Sequence, residues 1–167
     1  MSAFKGHEEV LEMIDISQLK EVASLEGISE DALAHLAKVM QKRAYRDADP
    51  IFNENTEGGD LYLIGAGSVR LNRRAKEGEA QNLAIVKEGD FLGIMTFMVG
   101  GKHSASAVAK GDCTLYVMDR NSFDEFTEKF PADGNMVLMI FIERLVDSVR
   151  GMYERYIDMV NYMWRWR

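Results

Sequence analysis

The segment from Gly89 to Cys113 constrains the fold of this chain most strongly, because glycines stand at both ends of a short apolar run. It reads GDFLGIMTFMVGGKHSASAVAKGDC. A Gly-Asp turn leads through an aromatic residue to Gly93, an apolar run follows, and Gly100 and Gly101 separate that run from small residues. Glycine accepts turns and close backbone contacts that other residues resist. The pattern therefore predicts a turn, a short helix, a loop and a strand in tight succession.

The regions around this segment differ in their periodicity. Apolar residues recur at helical spacing from Glu8 to Tyr45, with Ser29 placed as an N-cap. From Pro50 to Met118 short apolar runs alternate with Gly, Asn and Asp, with a polar turn at Glu77-Gly78, which is typical of a small antiparallel barrel or jelly roll. The chain then becomes helical from Asn121. We expect a break at Phe130-Pro131 and a small loop to Gly134 before a long last helix.

The layout of the Gly89 to Cys113 segment resembles the phosphate-binding cassette of the cyclic-nucleotide-binding domain family, which includes bacterial catabolite-activator-like regulators. The resemblance extends over nearly the whole chain. It includes Ile51-Phe52 after a turn, Gly59-Asp60 ahead of Tyr62, Gly67 followed by Val69, and the run DCTLYVMDRNSFDEF. It implies an α+β fold, an antiparallel β-roll (jelly roll) with N-terminal helices and a long C-terminal helix. We expect one domain over residues 1–167, with helices in 1–48, the β-roll in 49–120 and the C-terminal helices in 121–167.

Two positions of the cassette depart from the family pattern. The residue after the cassette glycine is usually Glu, which accepts from the ribose hydroxyl, and here it is Ile94. The residue that opens the following strand is usually Arg, which pairs with the cyclic phosphate, and here it is His103. A buried hydroxyl left without a partner costs about 1 to 3 kcal/mol, and a histidine ring is mostly neutral near pH 7. We therefore expect weak or absent binding of cyclic AMP and cyclic GMP.

The rest of the cassette keeps polar groups that could hold a ligand. A helix N-terminus binds anions through its free N–H groups, and the amides of Ile94, Met95 and Thr96 follow the turn. Hydroxyl donors follow on the strand, where Ser106 matches the family's phosphate-contacting Ser or Thr. The predicted ligand site comprises Gly93, Ile94, Met95, Thr96, His103, Ser104 and Ser106. Three questions stay open. His103 is either a loop residue or a donor to an anion, and the apolar side chains of Met95, Phe97 and Met98 are either core residues or ligand contacts. The pocket itself is either filled by these side chains or open to a less polar ligand.

The last helix carries two apolar stripes. The first has the spacing of a coiled-coil seam, and its residues are Leu138, Ile142, Leu145, Val149, Met152, Tyr156, Met159 and Met163. The second consists of Val146, Val149, Tyr153, Ile157, Val160 and Trp164. We expect one stripe to lie on the β-roll and the other to join two copies of the chain, although both could pack on the same body. The resemblance also implies a parallel homodimer through this helix, whereas the family's winged-helix DNA reader has no counterpart in this sequence.

Composition narrows the function further. A net charge of −7 disfavours a nucleic-acid surface. No secretory signal and no run of about 18 apolar residues is evident, so we expect a cytoplasmic protein without a membrane partner. Cys113 is the only cysteine, and no metal site, cofactor or catalytic constellation is expected. The sequence thus favours a sensory module for a small anionic or nucleotide-like ligand, signalling through its C-terminal helix. The alternative is a ligand-free dimeric scaffold that binds a protein partner.

Overall fold

The computed structural model describes residues 14–74 and 80–165, so Glu8 and the expected turn at Glu77-Gly78 lie outside the described residues. The helices are α1 (Ile16–Lys20), α2 (Glu30–Val39), α3 (Ile94–Val99), α4 (Arg120–Lys129) and α5 (Pro131–Arg165), with a 3-10 turn at Ala23–Leu25. The strands are β1 (Gln41–Tyr45), β2 (Pro50–Phe52), β3 (Asp60–Ala66), β4 (Ser68–Arg74), β5 (Ala80–Lys87), β6 (Phe91–Leu92), β7 (Ser106–Ala109) and β8 (Cys113–Asp119).

The strands form two four-stranded antiparallel sheets. Their strand orders are β1-β8-β3-β6 and β2-β7-β4-β5, which confirms the predicted antiparallel β-roll with flanking helices. Strand β3 is buried on both faces, because successive side chains of a strand point to opposite sides. Leu61 and Leu63 belong to the core under the helices, while Tyr62 and Ile64 belong to the core between the sheets. This double burial explains the unbroken apolar run at its centre.

The N-terminal helical region is shorter than the sequence predicts. The Ser29 hydroxyl accepts from the Ala32 amide and caps α2, as expected. The helix ends at Val39, however, and β1 follows at once, paired with β8 over five residues. The prediction of helix up to Tyr45, and of a β-roll that begins only at residue 49, is wrong at this boundary. Backbone pairing with β8 decides the conformation of a segment whose own sequence has few apolar residues.

The expected loop between Pro131 and Gly134 is also absent, because α5 begins at Pro131 directly after α4. Proline is favoured in the first turn of a helix, where its missing N–H would have no partner. Gly134 serves a packing role instead. A Cβ atom at this position would lie 2.9 to 3.1 Å from Thr127, so the glycine allows α5 to approach α4 closely.

Aromatic rings fasten α5 to the cassette. Phe141 is 1% exposed, and its ring centroid lies 5.2 Å from that of Phe91, 6.3 Å from that of Phe97 and 5.8 Å from that of Phe123. The four rings come from α5, β6, α3 and α4, and we call them the phenylalanine cluster. Aromatic pairs at these separations add stability beyond the area they bury. The cluster therefore fixes the position of α5 against the helix of the cassette.

We expect Phe141→Ala to lower the free energy of unfolding by about 3 to 5 kcal/mol, because it removes a fully buried ring and leaves a cavity. Glu143→Ala, two residues further along the same helix and exposed, serves as the control and should change stability by less than about 0.5 kcal/mol. Urea unfolding followed by circular dichroism measures both. A loss below about 1 kcal/mol for Phe141→Ala would contradict the assignment of this cluster as the main attachment of α5.

Candidate functional site

A cavity of about 390 Å3 lies between the cassette and α5. The cassette and its preceding turn contribute Asp90, Phe91, Leu92, Gly93, Ile94, Met95, Thr96, His103, Ser104 and Ala105. The β-roll contributes Phe52, Leu71, Ala84 and Val86, and α5 contributes Arg144, Leu145, Asp147 and Ser148. A volume of this order is typical of small-molecule sites. Six of the seven residues of the predicted ligand site line it, and Ser106 does not.

Gly93 shapes the start of the cassette helix. It occupies the N-cap position of α3 with φ +80°, in the left-handed region that favours glycine. A Cβ atom here would lie 2.8 Å from the Asp60 carbonyl oxygen. The glycine is therefore required both for its conformation and for its close contact with β3, and the shape of the cradle survives although its side chains differ.

The residues after Gly93 divide between core and cavity. Ile94 is 6% exposed and belongs to the core under the helices while it also lines the cavity. Phe97 is buried and Met98 packs partly against the same core, as the core interpretation expects. Met95 lines the cavity but is 61% exposed, so its assignment to the core is wrong. The apolar side chain of Ile94 thus occupies the wall where the family has a carboxylate.

His103 is built into the wall and is not an ordinary loop residue. It is 5% exposed, and its ring stacks on Phe52 with a centroid distance of 3.9 Å and an interplanar angle of 12°. Its backbone is held on both sides, since its N–H donates to Thr56 and its carbonyl accepts from the Asn55 amide. Burial lowers the pKa of His103, against the opposing effect of the Asp60 carboxylate. The ring is therefore neutral near pH 7 and adds no positive charge to the cavity.

Thr96 and Gly58 complete the environment of this ring. The Thr96 hydroxyl donates to the Gly93 carbonyl at 3.0 Å, and its oxygen lies 3.5 Å from Nδ1 of His103. A Cβ atom at Gly58 would lie 2.6 Å from Thr96 and 3.0 Å from His103. Because the one hydroxyl proton is directed at Gly93, a proton on Nδ1 fits this contact best. The Nε2 atom then carries a lone pair, which is an acceptor and not an anion donor.

The two serines after His103 have different roles: Ser104 precedes β7, and Ser106 is the first residue of that strand. Ser104 is exposed and lines the cavity, so its hydroxyl is available to a ligand. The Ser106 hydroxyl instead accepts from the Glu54 amide at 2.9 Å, which holds the loop after β2. The predicted placement of Ser106 in the ligand site is therefore not supported by the structure, since its side chain fastens a neighbouring loop.

The α5 wall was not predicted from the sequence. Arg144 Nη1 lies 3.4 Å from Asp90 Oδ1, so an ion pair joins α5 to the turn before β6. Leu145 lines the cavity beside Asp147 and Ser148. The Gly-Asp turn was a visible signal for Asp90. No signal in one sequence marks Arg144, because the face of a long helix that meets the cassette depends on how the helix docks.

The expected seam on α5 is divided between two environments. Leu138 and Leu145 are partly buried and pack against the core under the helices. The remaining six lie between 49% and 62% exposed, and they are Ile142, Val149, Met152, Tyr156, Met159 and Met163. The second stripe is also exposed at Val146, Tyr153, Ile157 and Trp164. The alternative in which both stripes pack on the same body is therefore wrong for the described residues.

Other functional chemistry has little support within residues 14–74 and 80–165. No three His, Cys, Asp or Glu side chains gather there as a set of metal ligands. The described helices also include none with the length and apolar character needed to cross a bilayer. Cys113 is buried and free, and burial raises the pKa of its thiol to about 11, so the group is a thiol and not a reactive thiolate at neutral pH.

Stability should fall as the pH drops below about 6.5, in part because of His103. Its folded-state pKa lies below the unfolded value, so the unfolded chain binds more protons in that window and stability rises with pH. We expect His103→Gln to reduce this slope, by at most about 1.4 kcal/mol per pH unit.

Urea unfolding between pH 5 and 7.5 measures the effect of this variant. His35→Gln is the matched comparison, because His35 lies outside the cavity and its pKa is also lowered. The main cause is burial, and the positive charges of Lys129 and Lys38 add to it. An unchanged slope in the His103 variant would show that this ring does not resist protonation.

Comparison with known proteins identifies the fold family. The sequence profile of the cyclic nucleotide-binding domain matches residues 42–130, which is more than half of the chain. The cyclic AMP receptor protein of Thermus thermophilus is 29% identical over 122 residues, covering 73% of this chain and 56% of the relative. A CRP-like cAMP-activated global transcriptional regulator of Mycobacterium tuberculosis is 27% identical over 120 residues, covering 72% and 54%.

Solved structures give the same result. A cyclic nucleotide-binding domain from Methylobacillus flagellatus superposes with a TM-score of 0.75 at 25% identity, covering 83% of this chain and 82% of that one. This chain spans only about half the length of the curated relatives. The matched profile includes the cassette, both sheets and α4, and on this ground the chain belongs to the cyclic nucleotide-binding domain family.

Proposed function

We propose that this chain is a regulatory ligand-binding domain that does not bind cyclic AMP or cyclic GMP in the usual way and that signals by repositioning α5. One observation carries the proposal: the cavity has the cassette on one side and α5 on the other. A ligand in it would contact both elements. A ligand shifts the equilibrium between two positions of α5 only if it binds them with unequal affinity. A cavity with one wall on the cassette and one on α5 meets this condition, because its shape changes when the two elements move apart.

The weakened nucleotide recognition rests on two side chains. Ile94 provides no acceptor for a ribose hydroxyl, and buried neutral His103 provides no charge for a phosphate. The family is regulatory, and we propose that this chain likewise has no catalytic activity of its own. A cytoplasmic location agrees with its single, buried, unpaired cysteine.

The second part of the proposal is a homodimer through α5. From Met152 to Met159 every residue is exposed, including five large apolar side chains. An apolar surface of this extent on a single helix is unusual in a monomer. The proposed interface consists of the six exposed seam residues, without Leu138 and Leu145. A dimer without any ligand, serving as a scaffold for a protein partner, is the competing function.

Calorimetry should give a dissociation constant weaker than about 1 μM for cyclic AMP and for cyclic GMP. The double variant Ile94→Glu with His103→Arg should then bind at least about tenfold more tightly, because it restores an acceptor and a cation to an intact cradle. The charge-matched control is Val99→Glu with Asn121→Arg, at exposed positions outside the cavity. Submicromolar binding by the unmodified chain would overturn the first expectation, and no gain in the double variant would favour the scaffold.

Light scattering should show a dimer at tens of micromolar and a monomer for Val149→Asp with Met152→Asp. These side chains are 49% and 61% exposed, so the introduced charges would destabilise the interface without disturbing the core. Val99→Asp, at an 84% exposed apolar residue of α3, is the control and should remain dimeric. A monomeric unmodified chain, or a double variant that stays dimeric, would refute an interface centred on these residues.

A further inference from the structure

The charges around the cavity are already balanced. Arg144 is the only Lys or Arg among the described lining residues, and it is paired with Asp90 at 3.4 Å. The remaining charged lining residue is an acid, Asp147, whose Oδ1 lies 3.5 Å from Arg150 Nη1 on the exposed side of α5. No unpaired cation among these residues faces the cavity. An entering anion would meet two carboxylates and would have to displace one of them from Arg144.

At the cassette end of the cavity the start of α3 keeps the backbone amides of Ile94, Met95 and Thr96, but the side chains there add no positive charge for an anion. Burial lowers the pKa of His103, so its ring is neutral near pH 7 and adds no positive charge at this end. The wall beside it is the apolar side chain of Ile94. Burying a charged group without a partner costs far more than burying a neutral one. The loss of the family's cation is therefore not compensated by another described side chain of the lining.

The remaining walls favour a flat apolar body with a polar edge. Phe52, Leu71 and Val86 line one side of the cavity, and Leu145 lines the other. Ser104 and Ser148, on the cassette and on α5, offer hydroxyls that can donate to or accept from an uncharged group. Apolar walls with a few polar groups are the usual composition of a small-molecule site.

We propose that this cavity selects uncharged ligands with an apolar, ring-sized body and discriminates against anions of the same shape. The inference rests on the proposed function, since it assumes that the cavity is the ligand site. It adds the chemical class: a neutral molecule with a small polar edge, in place of a cyclic phosphate. A neutral ligand leaves the Arg144 to Asp90 ion pair intact and meets no repulsion from Asp147.

Two dyes with the same aromatic body test the charge selection. N-phenyl-1-naphthylamine is neutral, whereas 8-anilinonaphthalene-1-sulfonate carries a sulfonate on that body. We expect the neutral dye to bind one site per chain, measured by fluorescence titration, and the sulfonate to bind that site at least about tenfold more weakly. His103→Arg should narrow or reverse the preference, because it places a cation beside the cassette.

Binding of the dye in the cavity must be distinguished from binding on the exposed apolar face of α5. Ala84→Phe adds a ring at a lining position of β5 and should abolish the site. Leu83→Phe is the control, since the neighbouring residue is 45% exposed and does not line the cavity. Ser148→Phe blocks from the α5 side and provides a second variant if Ala84→Phe does not fold.

The outcomes separate the two proposals. If the sulfonate binds as tightly as the neutral dye and Ala84→Phe abolishes both, the charge selection is wrong and the cavity remains a ligand site. If neither dye is affected by Ala84→Phe or Ser148→Phe, or neither binds, the cavity is not a ligand site, and both the inference and the proposed function fail. If the neutral dye binds more tightly than the sulfonate, and this binding is lost in Ala84→Phe and Ser148→Phe but kept in Leu83→Phe, the result supports both the charge selection and the proposed function.

Discussion

The packing of Phe141 among three other phenylalanines is the interaction on which the rest of the molecule depends. These four rings come from a strand, the cassette helix and two C-terminal helices, and 50 residues separate Phe91 from Phe141. They hold α5 at the distance that leaves a cavity beside the cassette. Without this contact the wall of the cavity that α5 provides would be held less firmly.

The site shows how the shape of a cradle and its chemistry can separate. The shape depends on backbone: a Cβ atom at Gly93 would collide with the carbonyl of Asp60, and one at Gly58 would collide with Thr96 and crowd His103. The chemistry depends on side chains, and Ile94 and His103 replace charge with an apolar surface and a neutral ring. This chain therefore keeps the fold of its family at about 25 to 29% identity to known members, while two side chains of its cavity depart from the family pattern.

The sequence predicted the elements that depend on local signals. The glycine turn of the cassette, the Ser29 cap and the β-roll could be inferred because conformational freedom, capping and strand alternation are local properties. Strand β1 could not, since Gln41–Tyr45 is extended only because β8 pairs with it. The stripe on α5 was visible, but a repeat of 3.5 and one of 3.6 are too similar to show that Leu138 and Leu145 turn inwards.

The site itself was predicted in the same uneven way. Six cassette residues line the cavity together because they are close in sequence, four at the start of α3 and two in the loop before β7. Ser106 does not line the cavity, and its hydroxyl accepts from the Glu54 amide in the loop after β2. Arg144 could not have been found, because its meeting with Asp90 is set by the docking of a helix more than 50 residues away.

The length of α5 turns it into a lever. Its first turn is fixed, because Asp133 accepts from both the Ser29 amide and the Ser29 hydroxyl, at 2.7 and 2.9 Å. Beyond Phe141 the helix continues for 24 residues to Arg165, which is about 36 Å of helix. A tilt of about 5° near the cavity would move the far end by about 3 Å, more than half of a helical turn. A displacement too small to rearrange the β-roll is thus amplified along the helix toward its exposed apolar end.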